Sequence, residues 1–369
     1  MNVDQMNVNQ SSTLFSEPGK SITRLALLIA LTLLLAGCSL DIIRLTAVPF
    51  LRTIVAPPTS VQTIEQPITE IPLDGPLVDR RAQFSGLGWY GDNLILLPQF
   101  PNVWEDQIFT LAKTDIVDFL TGRRSQPLLP QPIPVLNGDL TWQIPGFEGF
   151  ESIAFEGDRV FLTIEADRGD GMMGYLIAGV MAPDLSELRL DPTRLAEIQP
   201  QAALRNISDE AIFLAGDALI TLYEANSLFV NSAPVAHRFD RDLNPLGTLP
   251  FVNFPYRLTD ATALDADNRF WVINYFFPGD AYLQRRIGDV VGGNAAIPEK
   301  PVEQLVELQF STEGITLANT PSIALQLLDD NIARNWEGIV RLETAELSGF
   351  LLVTDYYPET ILAFVPKPQ

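Results

Sequence analysis

The chain has 369 residues, with 24 basic and 46 acidic side chains, a formal net charge of −22, one cysteine and one histidine. A single cysteine excludes an intrachain disulfide framework, and with a single histidine it cannot build a Cys/His zinc site or a catalytic histidine pair. The acidity excludes nucleic acid as a partner, because phosphate contacts are made by Lys and Arg, while 47% apolar residues suffice for a folded core.

Leu25 to Leu35 are apolar apart from Thr32, follow Lys20 and Arg24, and lead into Ala36, Gly37 and Cys38. A basic flank, a short apolar run and small residues before the cut describe a secretory signal over residues 1–37. The run is shorter than the roughly 20 residues of a comfortable membrane span. Leu35-Ala36-Gly37-Cys38 resembles the bacterial lipobox, which implies that Cys38 is acylated and becomes the mature N-terminus. The alternative is a buried cysteine at the end of an uncleaved anchor helix. Ser39 follows, and in the lipoproteins this segment resembles, a non-acidic residue there goes with outer-membrane placement. The expected location is therefore the bacterial envelope, lipid-anchored. Residues 38–67 contain Pro49, Pro57, Pro58 and Pro67 and read as a tether. Ile42 to Val55 is apolar enough to lie on the membrane surface instead.

From residue 68 the chain repeats itself. Five segments, Ser85–Gln99, Glu151–Glu165, Glu210–Glu224, Asp260–Asn274 and Glu337–Asp355, each open on a small or acidic residue. Each alternates apolar positions, turns at a short polar pair and runs into a second apolar strand. Gly91-Asp92, Gly157-Asp158 and Gly216-Asp217 sit at the bends and predict β-hairpins. A third strand is predicted at Ile108–Ala112, Tyr175–Ala178, Val235–Phe239, Leu305–Leu308 and Ile361–Val365. A fourth then leads into the next opening residue, as at Leu246–Pro250. The last copy lacks that fourth strand, and Ile68-Thr-Glu-Ile-Pro72 upstream has the missing shape. The expectation is an all-β fold: a β-propeller of four-stranded blades over residues 68–369, closed by an N-terminal strand joining the C-terminal blade. Five modules are visible. A sixth blade could lie between Asp260 and Glu337.

A tight hairpin brings its two ends side by side. Ser85 should then neighbour Gln99, Glu151 Glu165, Glu210 Glu224, Asp260 Asn274, and Glu337 Asp355. Inner strands line a propeller's channel, so these residues should ring one mouth, and most of them are acids. Carboxylates this close need protons or a cation among them. Oxygen donors of this kind suit Ca2+ better than Mg2+. The same acids would also serve as structural partners of backbone N–H groups or of arginines, four of which (Arg81, Arg205, Arg257 and Arg334) stand shortly before opening residues. Trp89, Trp271 and Trp336 are expected to pack between blades. Asp240-Arg-Asp242-Leu-Asn244 reads as a polar turn rather than a calcium loop, His237 as a packed or surface histidine, and Asn206-Ile-Ser208 as an unused glycosylation acceptor. No Ser-His-Asp triad, P-loop or Rossmann fingerprint is present.

Phe84-Ser-Gly-Leu-Gly-Trp89, Gly149-Phe-Glu-Ser-Ile-Ala-Phe155 with Glu165, Arg205–Ile212 with Glu224, and Asn335-Trp-Glu-Gly-Ile339 with Val353-Thr-Asp-Tyr356 carry a resemblance. Over about residues 80–366 the chain resembles the bacterial "esterase-like activity of phytase", or phytase-like domain, family. Glu151-Ser152 and Glu210-Ala211 depart from that family's usual Glu-Gly, and Glu148-Gly149 stands three residues upstream of the first. The resemblance implies a calcium-linked propeller hydrolysing phosphate or carboxylic esters.

Two functions follow as expectations. In the first, the protein is an envelope-anchored, monomeric hydrolase of a small anionic or ester substrate. Ca2+ would be held among Glu151, Glu210, Asp260, Asn274 and Glu337, with Glu337, Glu165 and Asp355 catalytic and Arg205, Arg257 and Arg334 on the substrate's anionic group. In the second, the protein is non-catalytic and a propeller face binds a protein or small-molecule partner.

Overall fold

The computed structural model describes residues 64–138, 140–169, 171–284, 297–329 and 331–368. Cys38, the expected signal segment and most of the expected tether lie outside them.

Two short strands open the described chain, β1 (Ile64–Gln66) and β2 (Thr69–Glu70). The first blade is β3 (Phe84–Tyr90), β4 (Asn93–Pro98), β5 (Gln107–Ala112) and β6 (Gln131–Leu136). The second is β7 (Phe147–Glu156), β8 (Arg159–Asp167), β9 (Met172–Met181) and β10 (Leu188–Ile198). The third is β11 (Asp209–Ala215), β12 (Ala218–Tyr223), β13 (Val235–Phe239) and β14 (Pro245–Pro250). The fourth holds β15 (Arg257–Ala261), β16 (Arg269–Phe276), β17 (Val302–Ser311), β18 (Gly314–Leu317) and β19 (Ile323–Leu325). The fifth is β20 (Trp336–Glu343), β21 (Ser348–Thr354) and β22 (Leu362–Pro366). The predicted hairpins and third strands are all present.

Strand β2 pairs antiparallel with β22, matching Thr69 to Phe364 and Glu70 to Ala363, so the N-terminal segment completes the last blade as expected. Immediately before it, β1 pairs in parallel with β19 and matches Ile64 to Ile323. Residues 64–66, expected in the tether, are thus the outermost strand of blade four. The entering chain clamps the fourth and fifth blades in succession. Blades one and two are also joined at their rims, where Leu188 on β10 pairs with Val135 on β6.

Packing closes the ring. Each interface between successive blades is filled by its own apolar cluster: Ile95 with Ile164 between blades one and two, Phe161 with Ile212 between two and three, Phe213 with Phe270 between three and four, Trp271 with Phe350 between four and five, and Val353 with Leu87 between five and one. Five interfaces account for five blades. Among the described residues the long interval after Asp260 adds the β17–β18 hairpin and a 3-10 turn at Pro278–Gln284 rather than a sixth blade. Gly91, Gly157 and Gly216 hold positive φ at the hairpin bends, with open space where a Cβ would stand. Their role is backbone conformation, not close packing. Trp271 and Trp336 are fully buried between blades, and Trp89 Nε1 donates to the Arg341 carbonyl at 2.7 Å, linking blades one and five.

Candidate functional site

The opening residues share a backbone irregularity that their sequence spacing does not announce. In all five inner strands the pairing register slips there. Ser85, Glu151, Glu210 and Glu337 each fall in the gap between paired residues, and Thr259 with Asp260 fall together in the corresponding gap of β15. A bulge re-aims a side chain that alternation would have turned into the sheet's face. Ser85, Glu151, Glu210 and Glu337 consequently converge on a cavity of about 70 Å³ at the hairpin-end mouth of the channel. Gln99, Glu165, Asn206, Arg257, Asn335 and Asp355 complete its lining. Glu151, and not Glu148, holds the second blade's place.

The site is an acid cluster around one guanidinium. Burial pushes the carboxyls of Glu151, Glu210 and Glu337 well above the usual range, and neighbouring carboxylates push the same way: Glu165 acts on Glu151, Glu224 on Glu210, and Asp355 on Glu337. Glu165 rises to about 8, by burial first and then by the charge of Glu224. Burial also raises Asp355 and Glu224, the latter against the pull of Arg257. Burial alone would lower Arg257. The surrounding carboxylates, Glu224 foremost, hold it well above its ordinary value instead.

Hydrogen bonds leave this cluster incomplete. Gln99 Nε2 donates to Glu151 Oε1 at 3.2 Å, Asn335 Nδ2 to Asp355 Oδ2 at 3.2 Å, and Arg257 Nε to Glu224 Oε1. Glu165 Oε1, Glu224 Oε2 and Asp355 Oδ1 are buried without any hydrogen-bond partner. Buried polar atoms are rarely left so, since an unmade bond costs about 1–3 kcal/mol. Among the described residues no three His, Cys, Asp or Glu side chains are placed to grip a bare metal ion as they stand.

Other expected site residues lie elsewhere. Asp260 does not face the cavity. Its two-residue bulge carries it past the mouth, where Oδ1 accepts from Ser152 Oγ at 2.9 Å and Oδ2 from the Ile339 N–H at 2.8 Å. Asn274 is likewise spent: Nδ2 donates to the carbonyls of Pro255 and Arg257, and Oδ1 accepts from Gln304. Arg334, 3% exposed, is held by Glu303 at 2.9 Å and donates to the Gln326 carbonyl, so it is a structural pair and not a substrate clamp. Arg205 is exposed and outside the cavity lining. Of the three arginines only Arg257 is in the site. His237 lies 3.3 Å from Asp209, and Ser85 Oγ donates to the Leu97 carbonyl. Asp240 accepts from the Asp242 and Asn244 backbones, as a polar turn does.

Asn206 and Asn335 were not anticipated as lining residues. Their signal is position: Asn206 stands four residues and Asn335 two residues before an opening glutamate. Asn206 occupies the left-handed region at φ 54°, where asparagine is tolerated. Asn335 is fixed by backbone bonds, its N–H donating to the Tyr357 carbonyl and its carbonyl accepting from Asp355 N–H.

No protein-family model and no curated relative matches this sequence. Its fold is similar to several solved structures at low identity. A provisionally assigned glycoside hydrolase from Parabacteroides distasonis is 14% identical with TM-score 0.44, the match covering 85% of this chain and 96% of that one. An exo-1,5-α-L-arabinanase from a bovine ruminal metagenomic library is 9% identical with TM-score 0.41, covering 79% and 94%. An α-L-arabinanase mutant from Cellvibrio cellulosa is 9% identical with TM-score 0.41, covering 77% and 91%. Likenesses this remote carry no chemistry to this chain, whose propeller stands on its own strand pairing.

Proposed function

We propose that this chain is a β-propeller hydrolase whose acid-lined cavity takes a hard divalent cation, Ca2+ before others, and acts on a phosphate or carboxylic ester. The observation that supports this most is the pair of buried, unpartnered oxygens on Glu165 and Asp355 in the lining of a single polar cavity. The donor chemistry fits Ca2+, which takes six to eight oxygens, water included. Glu151, Glu210 and Glu337 would hold it, with Glu165 and Asp355 turned in beside them. Because the carboxylates are not close enough to grip a bare ion, waters would fill part of its shell. Asp260 and Asn274 leave the ligand set, since their polar atoms are already bonded. The bound cation would orient the ester and polarise the attacking water.

The chain's own groups divide the remaining work. Glu165, buried in the lining with Oε1 free, is suited to meet a leaving oxygen. Asp355, with Oδ1 free and Oδ2 fixed by Asn335, is suited to orient the incoming water. Glu337 shares the lining with that carboxylate and with Arg257, whose remaining N–H groups would hold the substrate's anionic group. A space of about 70 Å³ admits an ion and a few waters but no large organic group. Only the reacting group enters, and the rest of the substrate stays at the mouth.

The test is turnover of p-nitrophenyl phosphate and short p-nitrophenyl acyl esters by wild type, Glu337→Gln and Glu165→Gln. The expected loss in either variant is about 100-fold or more. Activity untouched by both substitutions places the chemistry elsewhere. One observation favours the second, non-catalytic reading: Arg334 and Asp260 are engaged in structural contacts. Calcium-dependent stability with no turnover of either substrate class would select it.

Acylated Cys38 would tether either protein to the envelope membrane. Cys38→Ser is then expected to release the chain from membranes, and unchanged retention would count against acylation.

A further inference from the structure

The geometry points to a second binding site, for a small organic anion with an apolar body, at the opposite end of the propeller between blades three and four. A cavity of about 430 Å³ opens there, beside the Gly216-Asp217 hairpin bend. The acid-lined mouth lies at the other end of the same inner strand. Leu246 and Leu249 of β14 and Phe310 of β17 supply apolar walls, and Arg238 of β13 supplies the charge. The volume is within the range of small-molecule sites, which pair apolar walls with a few polar groups.

Arg238 is the informative residue. Among the described residues every arginine is ion-paired except Arg80, Arg205 and Arg238. Arg80 lies over the Tyr356 ring, and Arg205 is exposed at the surface. Arg238 alone is half-buried and unpaired. On its own strand it follows Ala236, which is buried in the apolar cluster between blades three and four, at the alternate position that shares a face with it. A half-buried guanidinium without a carboxylate partner keeps its donors open to an incoming anion. Its cross-strand partner on β14 is Gly247, at φ 91° with open space where a Cβ would stand, so no side chain covers the fork from that side. An Arg fork binds a carboxylate through two parallel hydrogen bonds, and the leucines and Phe310 would cover the ligand's alkyl portion. Asp217 is the acid in the lining; it is exposed, and salt screens it.

Isothermal titration calorimetry with sodium octanoate tests this, using wild type, Arg238→Gln and Leu246→Glu. Leu246 is 44% exposed, so its substitution sets a carboxylate beside the guanidinium without opening the core. Octanoate is expected to bind wild type at least tenfold more tightly than either variant, and at least tenfold more tightly than 1-octanol or inorganic phosphate bind wild type. Glu210→Gln, at the other end of the channel, should leave octanoate binding unchanged. Equal affinity in wild type and Arg238→Gln, equal affinity for octanoate and 1-octanol, or no octanoate binding to wild type would each overturn the site. The comparison of ligands on wild type decides the matter even if a variant fails to fold.

Discussion

Ser152 Oγ donates to Asp260 Oδ1 at 2.9 Å, joining the inner strands of two blades that are not neighbours in the ring. The second oxygen of the same carboxylate accepts the Ile339 N–H of blade five. One side chain therefore ties three blades together inside the channel. Asp260→Ala strands a buried hydroxyl and a buried backbone N–H. It is expected to cost about 2–4 kcal/mol in urea denaturation, with the response to calcium intact. A loss below about 0.5 kcal/mol would show that the tie is not needed.

Arg257 is the guanidinium that faces the acid cluster, and it donates to a glutamate with no exposed surface. Arg257→Gln removes the positive charge and leaves Glu224 buried among carboxylates. Breaking such a pair costs about 3–5 kcal/mol. The expected result is a destabilised variant whose stability recovers when Glu224→Gln is added, because the second change removes the stranded charge. A double variant no more stable than the single one would contradict this account of the pair.

The pH dependence of the metal-free protein follows from the direction of the carboxyl shifts. Glu165 has an ordinary value of 4.5 and a folded value of about 8, so the folded state binds the extra proton between those limits. Its contribution to stability is then full below about pH 4.5 and falls as the pH rises toward 8, by at most about 1.4 kcal/mol per pH unit. Glu151, Glu210 and Glu337 shift the same way. Chemical denaturation in chelator at pH 5, 6, 7 and 8 should show a steady decline. A flat profile, or one rising with pH, would contradict the buried-acid cluster.

Arg334 offers a contrast. It pairs with Glu303, which also accepts from Trp336 Nε1 at 2.7 Å. Arg334→Met should cost about 3 kcal/mol by leaving Glu303 unpaired, yet leave KM within about twofold on any ester the protein turns over, because a group outside the cavity makes no contact with substrate. A tenfold rise in KM would restore Arg334 to the substrate.

The ring itself was legible in the sequence because a hairpin has a fixed period. Gly157-Asp158 and Gly216-Asp217 mark bends, and Glu151 to Glu165 spans the same distance as Glu210 to Glu224. The spacing also brought Ser85, Gln99, Glu151, Glu165, Glu210, Glu337 and Asp355 to one cavity, while Glu224, paired with Arg257, is outside the lining. It failed at Asp260 and Asn274 because a period counts residues and does not register the width of a bulge. Leu258 pairs with Asn274 and Ala261 with Val272, which leaves two residues in the gap instead of one. Arg334 misled for a related reason: it precedes β20 and its partner Glu303 is on β17, 31 residues away, and so distant a pairing leaves no local mark. Strand β1 was hidden because three residues of parallel pairing to β19 have no pattern of their own.

Thermal unfolding of the mature domain at pH 8, in calcium or in chelator, asks whether the acid-lined cavity takes a hard divalent cation. The expected result is a melting temperature several degrees higher in calcium, a gain that shrinks at pH 5, where protons satisfy the same carboxyls, and is largely lost in Glu210→Gln. Equal melting temperatures in calcium and chelator at pH 8 would contradict cation binding there.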